Sequence, residues 1–201
     1  LENVKNLRSH DKGNTWRRIN EEIFKRDYFL RAEVINAKYW VPQRRERIYI
    51  VCFDRKIFDD RSLRNFSFPK NFAVERILDD VLEKKPNKKY MLSDKLWNYL
   101  KNYAAKHKEK GNGFGYGLNT GKDTSRTMSA RYYKDGSEIL IRQNRWKNPR
   151  RLTPWEAKHL MGFNDRFASN FGHAEGFPQV VSDAQAYKQF GNSVIPLVIE
   201  E

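Results

Sequence analysis

The stretch "PQRRERIYIVC", residues 42 to 52, places three arginines, Arg44, Arg45 and Arg47, directly before an apolar run. Between residues 47 and 53 both alternating sets of side chains are apolar, which is typical of a strand inside a sheet that helices cover on both faces. The sequence therefore predicts an α/β fold. Ligands of open α/β sheets bind outside the strand ends, so arginines in this position indicate a ligand site. Charges that only keep a surface soluble would be scattered along the chain.

The composition narrows the class of protein. The chain has 201 residues, enough for one large domain or two small ones. Lysine and arginine outnumber the acidic residues by 39 to 25, a formal net charge of +14. This excess favours a polyanionic partner, most simply nucleic acid, although a basic protein with an unrelated role would show it too. The single cysteine, Cys52, excludes a disulfide framework and a cysteine zinc cluster in these residues, and we expect it to be a passive core residue.

The sequence does not indicate a membrane or secreted protein, and it does not indicate a metal-binding protein. No apolar run is long enough for a membrane span and no signal peptide is visible, so we expect a cytoplasmic protein. The histidines have no spacing typical of metal ligands, so we expect no metal site and no chemical role for any of the four, which are His10, His107, His159 and His173.

Periodicity and capping residues predict the main elements. "ENV", residues 2 to 4, is typical of the end of a strand, and residues 28–37 and 47–53 are expected to form two more. A short helix is expected within residues 73–82. A longer amphipathic helix is expected between Ser93 as its cap and Gly111 as its stop.

The first predicted helix begins at Asn14, which we expect to be its cap. Its inward face is predicted to consist of the apolar residues Trp16, Ile19, Ile23 and Phe24.

The segment from residue 111 to 141 has a different character, because glycines alternate with aromatic, small polar and basic residues. Short strands and exposed loops are expected here, with a hairpin turn at Lys134–Gly136. The glycines are unlike a phosphate-binding loop, since no strand-to-helix context follows them. Basic and aromatic side chains on such loops can contact both phosphates and bases of DNA.

The stretch "RRLTPWEAKHLMGF", residues 150 to 163, contains a helix start. Thr153 and Glu156 match a capping box, and Pro154 stands at the first helical position. By physical chemistry alone this pattern indicates a structural element.

Four blocks of this chain, in this order, resemble the cytosine-C5 DNA methyltransferases. "ENV" resembles the sixth motif of that family and "QRRER", residues 43–47, the eighth. The stretch from residue 150 to 163 resembles the ninth motif, and "QAYKQFGNSV", residues 185–194, the tenth. The glycine-rich segment is similar to the recognition region of bacterial Dcm-type enzymes. The order and spacing of the blocks along almost the entire chain argue against a chance agreement.

The resemblance implies the C-terminal strands of a Rossmann-like methyltransferase sheet together with a small, mixed, β-rich target-recognition domain. Residues 1–75 would belong to the catalytic domain, residues 76–183 would form the recognition domain, and residues 184–201 would return to pack on the catalytic domain. For the arginines to lie at the carboxyl edge of the sheet, the strand after them must run antiparallel to its neighbours.

The resemblance also implies a chemistry. A thiolate adds to C6 of a cytosine flipped out of a duplex, and S-adenosylmethionine then supplies the methyl group to C5. Glu2 would act as the acid at N3, Arg47 would stabilise charge at O2, and Arg45 would hold the backbone or the catalytic loop beside it. Asn192 and Ser193 would help close the cofactor pocket, with an ordinary helix cap as the alternative. Contacts to double-stranded DNA are expected from Gln43, Arg126, Thr127, Arg131, Tyr132, Tyr133 and Lys134.

The chain also departs from the family. The glycine-rich first motif and the Pro-Cys block of the fourth are absent from the 201 residues, and Trp155 and His159 depart from the ninth. We therefore expect the chain alone to be inactive, as a fragment, a relic, or a subunit that acts with a separate N-terminal half. The alternatives are a non-catalytic DNA-binding specificity subunit and, more weakly, an RNA-binding protein. The expected setting is a bacterial restriction–modification system, associated with the nucleoid.

Overall fold

The computed structural model describes residues 1–70, 74–144, 147–170, 172 and 176–201. The chain divides into two compact units. The first unit contains residues 1–36, 45–71 and Glu201, and the second contains residues 37–44 and 72–200.

The first unit is built on a three-stranded antiparallel sheet of β1 (Glu2–Val4), β2 (Tyr28–Asn36) and β3 (Glu46–Asp54). The strand order is β1-β3-β2, so β3 is central and runs antiparallel to both neighbours. Ile48 and Ile50 on β3 are buried, as the apolar run predicts. The three strands predicted for this part of the chain are confirmed.

Helix α1 (Asn14–Lys25) precedes β2, and two details of its prediction are wrong. The cap is Gly13, whose φ of +89° favours glycine, while the Asn14 side chain accepts a hydrogen bond from Arg17 instead. Phe24 was expected to face inward but is 63% exposed. Phe24 lies about 80–140° around the helix from Trp16, Ile19 and Ile23, so it is outside the face that those three residues form. The unit also contains α2 (Asp60–Asn65), capped by Asp59.

The regular secondary structure of the second unit is mainly helical. Its helices are α3 (Asp94–Glu109), α4 (Pro154–Leu160), α5 (Asp165–Ser169), α6 (Asp183–Asn192) and α7 (Pro196–Glu200). A small sheet of two-residue strands has the order β4 (Leu118–Asn119), β5 (Leu140–Ile141), β6 (Arg150–Arg151). The pair β4–β5 is parallel and the pair β5–β6 is antiparallel.

Two predictions for the second unit are wrong. Gly136 lies in a turn with φ of +66°, but β5 pairs with β4 and β6, so residues 134–136 do not connect a hairpin. The helix expected within residues 73–82 is a single 3-10 turn, Leu78–Asp80, and Ala73 lies outside the described residues. In that turn Leu78 is anchored by a hydrogen bond from its N–H to the Asp123 carbonyl. A partner distant in sequence therefore fixes the backbone.

The helix-capping predictions for α3 and α4 are confirmed. The Ser93 hydroxyl accepts a hydrogen bond from the Leu96 N–H at 3.2 Å, and Gly111 ends α3 with φ of +69°. Thr153 and Glu156 form the reciprocal capping box of α4, with Pro154 inside the first turn. Among the described residues, no helix is both long and apolar enough to cross a membrane.

Candidate functional site

Glu2 and Arg47 lie together on one face of the sheet in the first unit. In the β1–β3 register Glu2 is opposite Tyr49, so Arg47 is its diagonal neighbour two residues earlier on β3. Glu2 Oε1 is 3.2 Å from Arg47 Nε, and the side chains are 16% and 15% exposed. Strand pairing thus brings together two of the residues that the sequence predicted, although 45 positions separate them.

One oxygen of the Glu2 carboxylate is buried without a hydrogen bond. Its Oε1 atom is buried and accepts no hydrogen bond from the described residues, even though the Arg47 guanidinium is at ion-pair distance. A buried polar atom without a hydrogen bond is costly, and such atoms are often found where a ligand supplies the missing partner. A ligand N–H or O–H group that reached Oε1 would complete its hydrogen bonding beside a fixed cation.

Arg45 adds a second cation to this cluster. It is buried, and burial lowers its pKa to about 10, with the nearby Arg47 charge acting in the same direction and Glu2 opposing it. At neutral pH the guanidinium keeps its charge, since this pKa is still well above 7. The structure thus places all three predicted catalytic residues in the first unit.

Tyr49 belongs to the same cluster, and the sequence reasoning missed it. Burial raises the pKa of Tyr49 to about 12, and the negative charge of Glu2 contributes. Strand alternation could have indicated this residue, because Tyr49 lies two positions after Arg47 and so shares its face. Its pairing with Glu2 could not be read from the sequence.

Cys52 lies on the other face of β3, since it alternates with Tyr49 and Val51. Cys52 was predicted to lie in the core, and it is half-buried in the structure. Burial raises the pKa of its thiol, which disfavours the thiolate that a nucleophile requires.

The residues predicted to contact DNA divide into two groups in the second unit. Arg126, Arg131, Tyr133 and Lys134 are exposed, as a DNA contact requires. Thr127 is half-buried, and its hydroxyl donates to the Arg44 carbonyl at 2.7 Å. Arg126 also donates to the Gly115 carbonyl at 2.9 Å, which ties its loop to the glycine-rich segment.

Gln43 and Tyr132, which were predicted to contact DNA, are both fully buried. Gln43 accepts a hydrogen bond from the Met128 N–H at 2.7 Å. The Tyr132 hydroxyl donates to the Ile139 carbonyl at 2.7 Å and accepts from the Leu152 N–H at 2.8 Å. Their polar atoms satisfy buried backbone groups, so in this structure both side chains stabilise the second unit and are not available to DNA.

The three histidines that the structure describes, His10, His107 and His159, do not form a metal-binding cluster. No group of three or more histidine, cysteine, aspartate or glutamate side chains in the described part of the chain is arranged to hold a metal ion. His159 packs against Trp155 with ring centroids 3.7 Å apart, and burial lowers its pKa. His173 lies outside the described residues.

A family model for the C-5 cytosine-specific DNA methylases matches residues 1–201 of this chain. The chain belongs to this family.

Curated methylase relatives are similar over nearly the full chain. The type II methyltransferase M.NlaX of Neisseria lactamica is 46% identical over 201 residues, which are 99% of this chain and 59% of the relative. M1.ScrFI of Lactococcus lactis subsp. cremoris is 45% identical, covering 96% and 47%, and the DNA-cytosine methyltransferase of Escherichia coli K12 is 42% identical, covering 97% and 46%. The chain therefore spans about half the length of the curated relatives that it matches.

Solved methyltransferase structures share the fold. The Dnmt2 methyltransferase of S. pombe superposes with a TM-score of 0.69 at 14% identity, covering 98% of this chain and 62% of that one. The Entamoeba histolytica methyltransferase EhMeth gives 0.69 at 19% identity, covering 98% and 58%. The predicted α/β methyltransferase fold is confirmed.

S-adenosylmethionine is the methyl donor that the family implies, and Asn192 and Ser193 are the residues predicted to help close its pocket. Asn192 is exposed at the end of α6, whereas the Ser193 hydroxyl donates to the Phe190 carbonyl at 2.7 Å, within the chain's own helix end. Two such side chains do not enclose a nucleoside, so these residues alone do not form a pocket for the cofactor.

Gly191, beside those residues, has a packing role that the sequence reasoning missed. A Cβ atom at this position would lie 2.3 Å from the Ser129 carbonyl oxygen and 2.5 Å from the Ala130 nitrogen. The last turn of α6 therefore approaches the 129–130 backbone so closely that only glycine fits. Packing within the second unit therefore explains the glycine of the Gly191–Ser193 stretch.

Proposed function

We propose that this chain is the C-terminal part of a cytosine-C5 DNA methyltransferase with a Dcm-like recognition region. In this proposal it supplies target recognition and two residues that act on the cytosine. The observation that carries the proposal is the partly buried Glu2–Arg47 pair beside the central strand, in which one Glu2 oxygen is buried without a hydrogen bond. We also propose that residues 1–75 serve catalysis, residues 76–183 recognition and residues 184–201 the return to the catalytic domain.

The proposed mechanism assigns one task to each side chain. Glu2 shares with N3 of the flipped cytosine a proton taken up from solvent, because electron density moves towards N3 and O2 when a thiolate adds at C6. Arg47 stabilises the charge that develops at O2, and the ion pair keeps both groups in place before the reaction begins. Arg45 positions the backbone or a catalytic loop beside them.

The nucleophilic thiol is not assigned to Cys52, which lies on the opposite face of β3 and has a raised pKa. The same observation favours a second candidate function, a DNA-binding specificity subunit without catalysis. A partner that contributes a Pro-Cys block would distinguish a catalytic assembly from this second candidate.

The isolated 201-residue chain is expected to transfer no methyl group, because it lacks a suitable thiol and the glycine-rich cofactor turn. The measurement is the transfer of labelled methyl from S-adenosylmethionine to duplex DNA, with a complete family member as the positive control. Turnover that survives Cys52→Ser would show that another group does the chemistry. Turnover that Cys52→Ser abolishes would show that Cys52 is the nucleophile after all.

The same chain is expected to bind duplex DNA, with an affinity that falls as salt rises. Replacing Arg126, Arg131 and Lys134 by alanine is expected to reduce the slope of log affinity against log salt by about 0.9 for each phosphate contact removed. Fluorescence anisotropy with a labelled duplex measures both quantities.

A matched control removes three exposed lysines elsewhere in the second unit, Lys84, Lys85 and Lys88. This variant has the same net charge as the loop variant. If the loops contact DNA specifically, the loop variant must lose more affinity than this control. Equal losses in the two variants would mean that general charge, not the proposed loops, holds the DNA.

A further inference from the structure

Helix α3 and its C-cap residue Lys110 carry a row of cations and one tyrosine along the exposed side of the helix. Lys95, Tyr99, Lys106 and Lys110 are all exposed, and Tyr99 is 56% exposed. Their spacing of four, seven and four residues keeps them within an arc of about 60° on a helix with 3.6 residues per turn. We call these four residues the lysine–tyrosine stripe.

A different side of α3, centred about 110° around the helix from the stripe, holds the helix to the second unit. Leu100 is buried in a cluster with Leu92 and Leu140, and Leu96 and Trp97 pack against that cluster. The stripe therefore has no part in the core, and its side chains extend from the exposed side of a helix whose position is fixed.

Folding does not account for the stripe. In the described part of the chain, no carboxylate lies at ion-pair distance from Lys95, Lys106 or Lys110, whereas Lys147 on the surface pairs with Asp94. Cations in the last turn suit the helix dipole, which could explain Lys106 and Lys110. Lys95 is in the first turn, where a cation opposes the dipole, so the dipole cannot explain the row as a whole.

An unbroken series of contacts connects the stripe to the loops that are proposed to read DNA. The rings of Tyr99 and Tyr103 stack with centroids 5.6 Å apart and planes inclined by 14°. Tyr103 contacts Phe114 of the glycine-rich segment at 4.6 Å. The neighbouring Gly115 carbonyl accepts the hydrogen bond from Arg126 at 2.9 Å. The stripe and the Arg126 loop are thus connected by contacts within the second unit.

We propose that the lysine–tyrosine stripe binds the sugar–phosphate backbone of duplex DNA next to the base pairs that the loops read. This inference rests on the proposed function, and it adds a contact surface outside the recognition loops. Lysine and tyrosine side chains bind phosphate without reading sequence, so the stripe contributes affinity and orientation. A helix of 16 residues is about 24 Å long, which corresponds to roughly seven base pairs of B-DNA.

The test compares two double variants of the chain. Lys95→Gln with Lys106→Gln removes two charges from the stripe. Lys101→Gln with Lys108→Gln removes two from the other side of the same helix and is the matched control. Glutamine keeps the helix propensity nearly constant, and circular dichroism verifies that α3 remains folded. Binding is measured by anisotropy over a range of salt, with a duplex of about 30 base pairs and with one trimmed by about seven, the span of α3.

The stripe variant is expected to lower the salt slope by up to about 1.8, two phosphate contacts, while the control leaves it nearly unchanged. Trimming the duplex on the side that the stripe binds is expected to remove the difference between the stripe variant and the unmodified chain. A stripe variant that matches the control would overturn the inference, and so would one that weakens binding to RNA of the same sequence more than binding to the duplex. If either result is found and the loop variant, with Arg126, Arg131 and Lys134 replaced, still loses affinity for duplex DNA, the proposed function stands. A chain that binds no duplex at all would refute both.

Discussion

Changing Glu2 to Gln is expected to lower the single-turnover rate of methyl transfer about 100- to 1000-fold in a complete enzyme that contains this chain. Glutamine keeps the size of the side chain and most of its hydrogen bonding but cannot hold a proton at cytosine N3. The lost interaction forms only as charge develops in the transition state, so DNA affinity is expected to change little. Rapid-quench single-turnover kinetics and anisotropy measure the two quantities separately.

Glu33→Gln is the matched control for this experiment. Glu33 is opposite Tyr49 on β2, as Glu2 is opposite Tyr49 on β1, so both carboxylates lie on the same face of the sheet. Glu33 is exposed and has no ion pair among the described residues, so its replacement is expected to leave the rate within about twofold, the size of a surface effect. Equal losses in the two variants would show that negative charge on this face matters in general and that Glu2 has no specific role.

Arg47→Ala examines the cation of the same pair. The Arg47 Nη1 atom also donates to the Glu46 carbonyl at 2.9 Å, so this variant loses packing and a backbone contact as well as charge. Its thermal melting must match that of the unmodified protein before its rate is interpreted. A rate that falls only in proportion to DNA affinity would mean that the Glu2–Arg47 pair is structural.

Signals within a few residues of one another predicted the elements of this fold well. The Thr153–Glu156 capping box and the Ser93 cap are both formed, because each hydrogen bond closes within one helical turn. The apolar alternation after Arg47 gave the central strand for a similar reason, since alternation is a property of the strand itself.

Roles that depend on partners far along the chain could not be predicted. Gln43 was expected to face DNA because it is polar and stands beside arginines, but it satisfies the Met128 backbone 85 residues away. Tyr132 was also expected to contact DNA, but its hydroxyl forms hydrogen bonds with the Ile139 carbonyl and the Leu152 N–H. For the candidate site, the sequence was enough to predict Glu2 and Arg47. The pairing of β1 with β3 was needed to find the Glu2 oxygen that has no hydrogen bond and the position of Tyr49 beside Glu2.

Changing Glu156 to Gln is expected to reduce the free energy of unfolding by about 3–5 kcal/mol. The side chains of Arg150 and Glu156 are both completely buried, and two hydrogen bonds of 2.6 and 2.7 Å join them. The Glu156 carboxylate also accepts from the backbone N–H groups of Glu83 and Thr153, each at 2.8 Å. Every one of these partners is a donor, so an amide NH₂ at this position must face a donor whichever way it turns. The Arg150 charge would also lose its counter-ion.

Urea unfolding of the isolated chain, followed by tryptophan fluorescence, measures this loss. Lys147→Gln is the control, because its ion pair with Asp94 is on the surface with the lysine side chain 83% exposed, and we expect a change within about 0.5 kcal/mol.

The double variant Arg150→Met with Glu156→Leu distinguishes an uncompensated charge from a simple loss of contacts. Removing both charges eliminates the buried, unpaired guanidinium that the single variant leaves behind, so the double variant is expected to be more stable than Glu156→Gln. It still loses the hydrogen bonds to Glu83 and Thr153, so it is not expected to reach the stability of the unmodified chain. If the double variant is less stable than the single one, hydrogen bonds and packing dominate at this site. The stability of the second unit then depends on the shape of the pair more than on its charge balance.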